Sequence, residues 1–313
     1  MKYYDSMQDL IGNTPLVRLG NMGIPEEINL FATLELWNPG GSVKDRIGRE
    51  MIEDAERRGV LKADGTIVEG TAGNTGLGIA MAALKKGYKV IFVVPLKFSQ
   101  EKQILMKALG AEIVNTPREE GMLGAEKKAE EIKKSIEGAV SLEQFRNPVN
   151  PLAHYKTTGP EIYRDLDGHI NYFVGGAGSG GTYSGIMKYL KEQNSDIKGV
   201  LADPIGSTMG GGSHGDYNIE GIGNDFIPDT MDISLVDKVI KVTDAQAFVA
   251  SRELARKEGI LAGSSSGAAF TAAKLLAQEL ARSGEIEKAG GNINIVTLFP
   301  DRGDRYFSKN LYE

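Results

Sequence analysis

The sequence predicts an α/β protein of two lobes, with largely parallel sheets flanked by helices. Three observations predict it. Short β-branched runs alternate with helical patterns along the 313 residues, the signature of βαβ units. Many of the 40 glycines gather in a few short loops rather than in one low-complexity tract. Clustering of that kind marks backbone brought close to a ligand. Finally, Asn147-Pro148-Val149-Asn150-Pro151 interrupts the alternation near mid-chain. This divides the chain into an N-terminal lobe, residues 1–147, and a C-terminal lobe, 148–313; a crossing of the early segment to the other lobe stays open.

Each element rests on its own residues. Thr66-Ile67-Val68-Glu69 is a strand leading through a Gly-rich turn into a helix over 77–84. Residues 88–94 form a buried-strand pattern that ends at Pro95, and 99–109 read as helix, 111–114 as extended and 125–136 as helix with charged faces. After the break, Tyr172-Phe173-Val174 is a strand, a helix opens after Gly181, and 199–202 is extended again. Residues 205–230 read as a long loop, with Gly210-Gly211-Gly212-Ser213-His214-Gly215 either a lid or a surface excursion. A strand near 236–242, helices near 244–257 and 266–282, and a last strand at 293–298 complete the pattern. In such folds ligands bind at the carboxyl ends of the strands.

Composition removes several function classes. With 36 Lys plus Arg against 42 Asp plus Glu the net charge is -6, which argues against a nucleic-acid or anionic-membrane partner. There are no cysteines, so disulfides and thiolate catalysis are excluded and a reducing compartment suits the chain. His154, His169 and His214 have no metal-ligand spacing, and no metal is expected. Met1-Lys2-Tyr3-Tyr4-Asp5 lacks the regions of a signal peptide, and no apolar run reaches membrane-spanning length. A cytoplasmic protein is expected.

Four segments could carry chemistry. In Asn38-Pro39-Gly40-Gly41-Ser42-Val43-Lys44-Asp45-Arg46, Ser42 is placed as an N-cap, with Asp45 completing a short relative of the capping box. Lys44 then lies at the positive end of a helix dipole, where its charged form is disfavoured, and the amine becomes a nucleophile and base. The loop Thr71-Ala72-Gly73-Asn74-Thr75-Gly76 offers N–H groups and short polar side chains, a carboxylate cradle or simply a tight turn. Gly175-Gly176-Ala177-Gly178-Ser179-Gly180-Gly181-Thr182 is a phosphate cradle with no basic side chain. It also matches G-x-G-x-x-G through Gly176, Gly178 and Gly181, with Asp203 about 20 residues on as a ribose-binding acid would be. That leaves an NAD-dependent dehydrogenase as an alternative. The last segment, Gly263-Ser264-Ser265-Ser266-Gly267, precedes a helix and by itself is an ordinary cap. Together, a Schiff-base lysine, a phosphate cradle, a carboxylate cradle and a lone hydroxyl suit pyridoxal 5'-phosphate (PLP) acting on an amino acid. A nicotinamide enzyme leaves Lys44, the 71–76 loop and the serines unexplained.

Several ordered motifs carry a resemblance that runs nearly end to end. They are Gly12-Asn13-Thr14-Pro15-Leu16-Val17-Arg18-Leu19, the Asn38–Arg46 segment, Gln144-Phe145-Arg146-Asn147-Pro148, His154-Tyr155-Lys156-Thr157-Thr158-Gly159-Pro160-Glu161-Ile162, Glu220-Gly221-Ile222-Gly223, and Pro300-Asp301 to Tyr306. The chain resembles the cysteine synthase/cystathionine β-synthase family of PLP enzymes, with the tryptophan-synthase-β-like fold, PLP fold type II.

The resemblance implies the following roles. Lys44 holds PLP as an internal aldimine and later acts as base at the α-carbon. Asn74 meets the cofactor's 3'-oxygen, and Gly176, Ala177, Gly178, Gly180 and Thr182 take its phosphate. Ser265 faces the pyridine nitrogen, where a neutral hydroxyl weakens the electron sink and favours loss of a β-substituent over transamination. Thr71, Gly73, Thr75 and Gln144 receive the substrate carboxylate. The implied reaction is β-replacement on a serine-derived amino acid through an aminoacrylate, of cysteine synthase or cystathionine β-synthase type. Its partners are amino-acid and thiol or sulfide substrates, and a cysteine-consuming, sulfide-releasing lyase is an alternative. A homodimer is implied too. Ala72 departs from the family, whose plant and enteric cysteine synthases usually carry serine there, which puts one substrate contact in doubt. Asp225, in Glu220-Gly221-Ile222-Gly223-Asn224-Asp225-Phe226-Ile227-Pro228, is a speculative second-step residue beside its reading as a surface acid.

Overall fold

The structure is a computed structural model that describes every residue except 2, 72, 97, 289 and 290. In chain order its first elements are β1 (Leu16–Arg18), β2 (Ile28–Leu34), α1 (Lys44–Arg57), β3 (Thr66–Gly70), α2 (Asn74–Ala83), β4 (Lys89–Pro95), α3 (Gln100–Ala108), β5 (Glu112–Thr116) and α4 (Gly121–Ser135). There follow α5 (Val149–Lys156), α6 (Thr158–Asp165), β6 (Tyr172–Gly176), α7 (Gly181–Gln193), β7 (Lys198–Pro204), β8 (Lys238–Val242), α8 (Asp244–Glu258), α9 (Ser264–Ser283), α10 (Glu285–Lys288) and β9 (Ile293–Phe299). The chain divides into two units, residues 1–11 with 38–150, and 12–37 with 151–313.

In the first unit β3, β4 and β5 form a parallel sheet in that order. Val68, Ile91 and Val93 on one face pack against Ala125 and Ala129 of α4. Their β-branched side chains suit a pleated, covered surface. α1 and α2 are joined by glycines rather than by large side chains. A Cβ on Gly48 would stand 2.3 Å from the Gly78 carbonyl carbon, and one on Gly78 would stand 2.2 Å from the Lys44 oxygen. Backbone therefore meets backbone there, and the start of α1 is fixed against α2.

In the second unit the order is β1-β2-β9-β6-β7-β8 among the described residues. β1 runs antiparallel to β2, and the other neighbours are parallel. The sheet buries Leu30, Val174, Val200, Ile295 and Phe299 with Phe270, Ala268, Ala272, Ala273 and Ala277 of α9. Gly267 lets α9 close on α8, since a Cβ there would stand 2.0 Å from the Ala247 oxygen.

β1 and β2 are absent from the sequence reading. β2 pairs with β9 along its whole length, and Asn29 Nδ2 donates to Asn294 Oδ1 at 2.9 Å across 265 positions. No local signal announces a partner that distant. The helix α5 stands where Pro148 and Pro151 suggested only an interruption, and α6 follows it; Pro151 and Pro160 each fall in a first turn, where Pro is tolerated. Among the described residues no helix is long and apolar enough to cross a membrane. No group of three or more His, Asp or Glu among them could hold a metal ion.

Candidate active site

The first unit brings the lysine and the 71–76 loop onto two adjoining helices. The capping expectation at Ser42 is corrected in detail. The N-cap is Val43, itself helical at φ -54° and ψ -20°, and has no side-chain cap bond. Ser42 Oγ instead accepts the Lys44 N–H at 3.2 Å. Asp45 does not close a box; its buried carboxylate reaches back to accept the Gly40 N–H. Gly40 is required for that approach, since its Cβ would lie 2.5 Å from Asp45 Oδ1. The turn before Lys44 is thus tied to the helix it opens, and Lys44 is half-buried.

α2 begins at Asn74, so Asn74 and Thr75 are in its first turn, the positive end of the helix dipole. Thr71 and Thr75 are buried, and Asn74 is half-buried. The Gly73 N–H lies 3.4 Å from Thr71 Oγ1. Gln144, far along the chain, arrives at the same place. Thr75 Oγ1 donates to Gln144 Oε1 at 2.6 Å, and Asn150 Nδ2 donates to the Gln144 carbonyl at 2.7 Å. With Oε1 committed to Thr75, the Gln144 amide has its N–H groups to offer a ligand. Residue 72, where the expectation about a missing hydroxyl falls, lies outside the described residues.

In the second unit β6 runs into the glycine loop, and α7 opens at Gly181 with Gly180 as N-cap at φ +83°. The loop is held from behind by residues 221–231. The Gly223 N–H donates to the Ala177 carbonyl at 2.8 Å, Asn224 Nδ2 to the Gly178 carbonyl at 2.6 Å, and Thr230 Oγ1 to the Ser179 carbonyl. A Cβ on Gly178 would stand 2.4 Å from the Gly221 oxygen, and one on Gly180 would stand 2.4 Å from Met231 Cβ. With three successive carbonyls committed to this strap, the loop has its N–H groups and the head of α7 to present to an anion. Thr182, in the first turn, is set by His154. The buried imidazole joins Thr182 Oγ1 at 3.1 Å through Nε2 and Thr158 Oγ1 at 2.8 Å through Nδ1.

α9 starts at Ser264, two residues before the sequence-predicted start, so Ser265 is in its first turn and buried. Ser264 Oγ accepts the Glu220 N–H at 3.1 Å, and the Gly263 N–H donates to the Asp301 carbonyl at 3.1 Å. The Asp301 carboxylate accepts the Tyr306 hydroxyl. Burial first, and then the Asp301 charge, pushes that phenol well above its ordinary range.

Asp225 is exposed, next to Asn224, and Gly178 is reached by its neighbour rather than by itself. Tyr217 is pushed up to about 12 by burial and by the charges of Asp203, Asp225 and Asp244. Asp203 is not placed to serve a ribose. It is buried, and its Oδ2 accepts Lys241 Nζ at 2.6 Å and the Gly210 N–H at 2.9 Å. Sequence reasoning did not single out Asn224 or the pairing of His154 with Thr182. An Asn following Gly223, whose φ is +83°, was a signal for a turn but not for its target.

Within each unit the donors are of the kinds PLP takes: in the first a primary amine at a helix start and an amide at the head of α2, in the second a backbone anion cradle with no room for a Cβ behind it and a hydroxyl at the head of α9. A family model described as pyridoxal-phosphate dependent enzyme matches residues 7–301. The chain belongs to that family, and its cofactor is PLP. It is 50% identical over 313 residues to an O-acetylserine dependent cystathionine beta-synthase of Bacillus subtilis, covering 100% of this chain and 99% of that one. It is 45% identical over 314 residues to a cysteine synthase of Helicobacter pylori, with 100% of both chains covered. The crystal structure of an O-acetylserine dependent cystathionine beta-synthase from Helicobacter pylori matches with a TM-score of 0.93 at 44% identity over 100% of both chains. The α/β fold is therefore that of the fold type II PLP enzymes.

Proposed function

We propose that the chain catalyses β-replacement on O-acetylserine, with homocysteine as the preferred nucleophile and sulfide as the competing one. The observation that carries this reading is the bond from Thr75 to Gln144 at the head of α2. It builds a receptor of neutral donors, suited to the carboxylate of an amino acid, on the helix against which Lys44 is packed. The relatives' names support the choice of O-acetylserine and of a thiol.

PLP, when bound, supplies an electron sink for the substrate's Cα. The chain's residues do the rest. Lys44 would hold the cofactor through its amine, and that amine, when free, would take the proton from the substrate's Cα. Asn74 meets the 3'-oxygen, while Gly176, Ala177, Gly178, Gly180 and Thr182 serve the phosphate. Ser179 belongs with them, since its carbonyl is held by Thr230 in the same turn. Ser265 offers the ring nitrogen a hydroxyl, and Thr71, Gly73, Thr75 and Gln144 orient the carboxylate. Acetate leaves Cβ, the thiol sulfur bonds there, and Lys44 returns a proton to Cα. Asp225 is assigned to the second half, taking the thiol proton at the edge of its loop. The same reading makes the protein a cytoplasmic homodimer.

The test is to mix purified protein with O-acetylserine, then with homocysteine or sulfide, and separately with cysteine, and to identify products by mass spectrometry. Cystathionine formed faster than cysteine supports the proposal. Cysteine alone makes the enzyme a cysteine synthase, and sulfide release from cysteine without either synthesis makes it a lyase. No change in cofactor absorbance with any of these amino acids sinks the reading.

A further inference from the structure

Glu69, the penultimate residue of β3, is 3% exposed. Among the described residues its carboxylate is not spent on a cation. Oε2 accepts Ser141 Oγ at 2.8 Å, the Leu142 N–H at 2.9 Å and, at 3.4 Å, the Glu143 N–H. Successive N–H groups turned onto one anion form a nest. At the centre of this one stands Glu143, at φ +51°, a left-handed conformation uncommon for a residue with a side chain. Such a turn persists where its surroundings impose it, and the carboxylate is what its N–H groups converge on.

Two consequences meet at one receptor. The reversal at Glu143 delivers the Gln144 side chain to Thr75, where the 2.6 Å bond closes. Two residues beyond Glu69 the chain enters Thr71 and the 71–76 loop. Each side of the carboxylate receptor is thereby referenced to Glu69, one through the backbone and the other through the nest. The pairing of Val140 with Thr66 and Val68 lays the segment beside β3 but stops short of the turn.

We propose that Glu69 is a positioning residue for the substrate carboxylate, acting through Gln144: it holds the 141–144 turn in the strained form that presents the Gln144 amide. The proposal rests on the receptor assigned under the proposed function, and its failure is separable from the failure of that assignment. A substrate-facing glutamate would repel the carboxylate. Burial raises the Glu69 carboxyl above the ordinary glutamate range, and the bonds from Ser141, Leu142 and Glu143 only partly offset it. Glu69 acts because the oxygen on which this turn's donors converge is fixed at the end of β3, just before the 71–76 loop.

The test uses the holoenzyme. Wild type, Glu69→Gln, Glu69→Ala, Gln144→Ala and the Glu69→Ala/Gln144→Ala pair are titrated with O-acetylserine, following cofactor absorbance at equilibrium. Glu69→Ala should raise the half-saturating concentration about tenfold, in line with the loss of one bond to a charged group, and leave the absorbance before titration unchanged. In the Gln144→Ala background the same substitution should change it less than twofold. Amide exchange at 142–144 should accelerate in Glu69→Ala. Should that variant not fold, Glu69→Gln carries the test with a several-fold rise, again lost in the Gln144→Ala background. An unchanged half-saturating concentration overturns the proposal, and so do effects of Glu69 and Gln144 that multiply. If wild type shows no response to amino acids, the functional reading has failed, and the exchange at 142–144 alone decides whether Glu69 holds the turn.

Discussion

Lys44, Gln144 and Asn224 bear different parts of the proposed chemistry, and each makes a separable prediction. Lys44→Ala should lower turnover by on the order of 10³-fold or more, since both attachment and proton transfer are lost; circular dichroism should show an unchanged fold. Gln144→Ala removes a donor to a charged carboxylate. A bond of that kind is worth about 1.5–3 kcal/mol, so KM for the amino acid should rise roughly 10- to 100-fold with a smaller change in kcat. Asn224→Ala frees the Gly178 carbonyl and loosens the cradle from behind. It should speed loss of PLP on dialysis, without altering the half-saturating amino-acid concentration of the loaded enzyme. At this scale the sequence was legible wherever adjacent residues make the feature. Lys44, the 71–76 loop and the 176–182 loop were all visible as runs. Gln144 was visible only through a resemblance, and Asn224 and Glu69 not at all as functional residues. Their partners lie far along the chain: 46 positions separate Asn224 from Gly178, and 72 separate Glu69 from Ser141.

Among elements, the closeness of α1 and α2 is the most consequential contact. Gly48→Ala would drive a methyl into the Gly78 carbonyl, at 2.3 Å from its carbon. Overpacking of this sort costs about 1–3 kcal/mol. The expected outcome is a Tm lowered by several degrees, together with a shifted cofactor absorbance, because Lys44 is carried on the displaced helix. A second prediction concerns Asp237, which joins three elements: it accepts Lys191 Nζ of α7 at 2.8 Å and the Gly199 N–H of β7 at 2.7 Å, and it directly precedes β8. Burial alone would raise its pKa, but these donors outweigh burial and hold it below the ordinary aspartate value of 3.8. A depressed carboxylate contributes stability that is present above its unfolded value and is lost as pH falls through the folded one. The Tm of Asp237→Asn should therefore lie below wild type at neutral pH. The gap should close as pH is taken below 3.8. A gap that stays constant with pH would remove the electrostatic account.

For the molecule as a whole, the sequence by itself determined the class of fold, the chemistry on offer and the cofactor. The alternation of β-branched runs with helical stretches is local and repeated, and so are the lysine turn and the two glycine loops; local patterns survive in a one-dimensional reading. The tertiary structure decided what those parts are attached to. It set β2 beside β9, closed the larger sheet with residues 12–37, and turned the carbonyls of Ala177, Gly178 and Ser179 onto the 221–231 strap. It spent Asp203 on Lys241 and Gly210, so that the acid which made a dinucleotide site conceivable is buried and engaged. It also seated the Glu69 carboxylate among the N–H groups of a distant turn. The reason is the same in each case. Hydrogen-bond partners and close backbone approaches are chosen by distance in space, and only neighbours within a turn or a strand are written into the order of the residues.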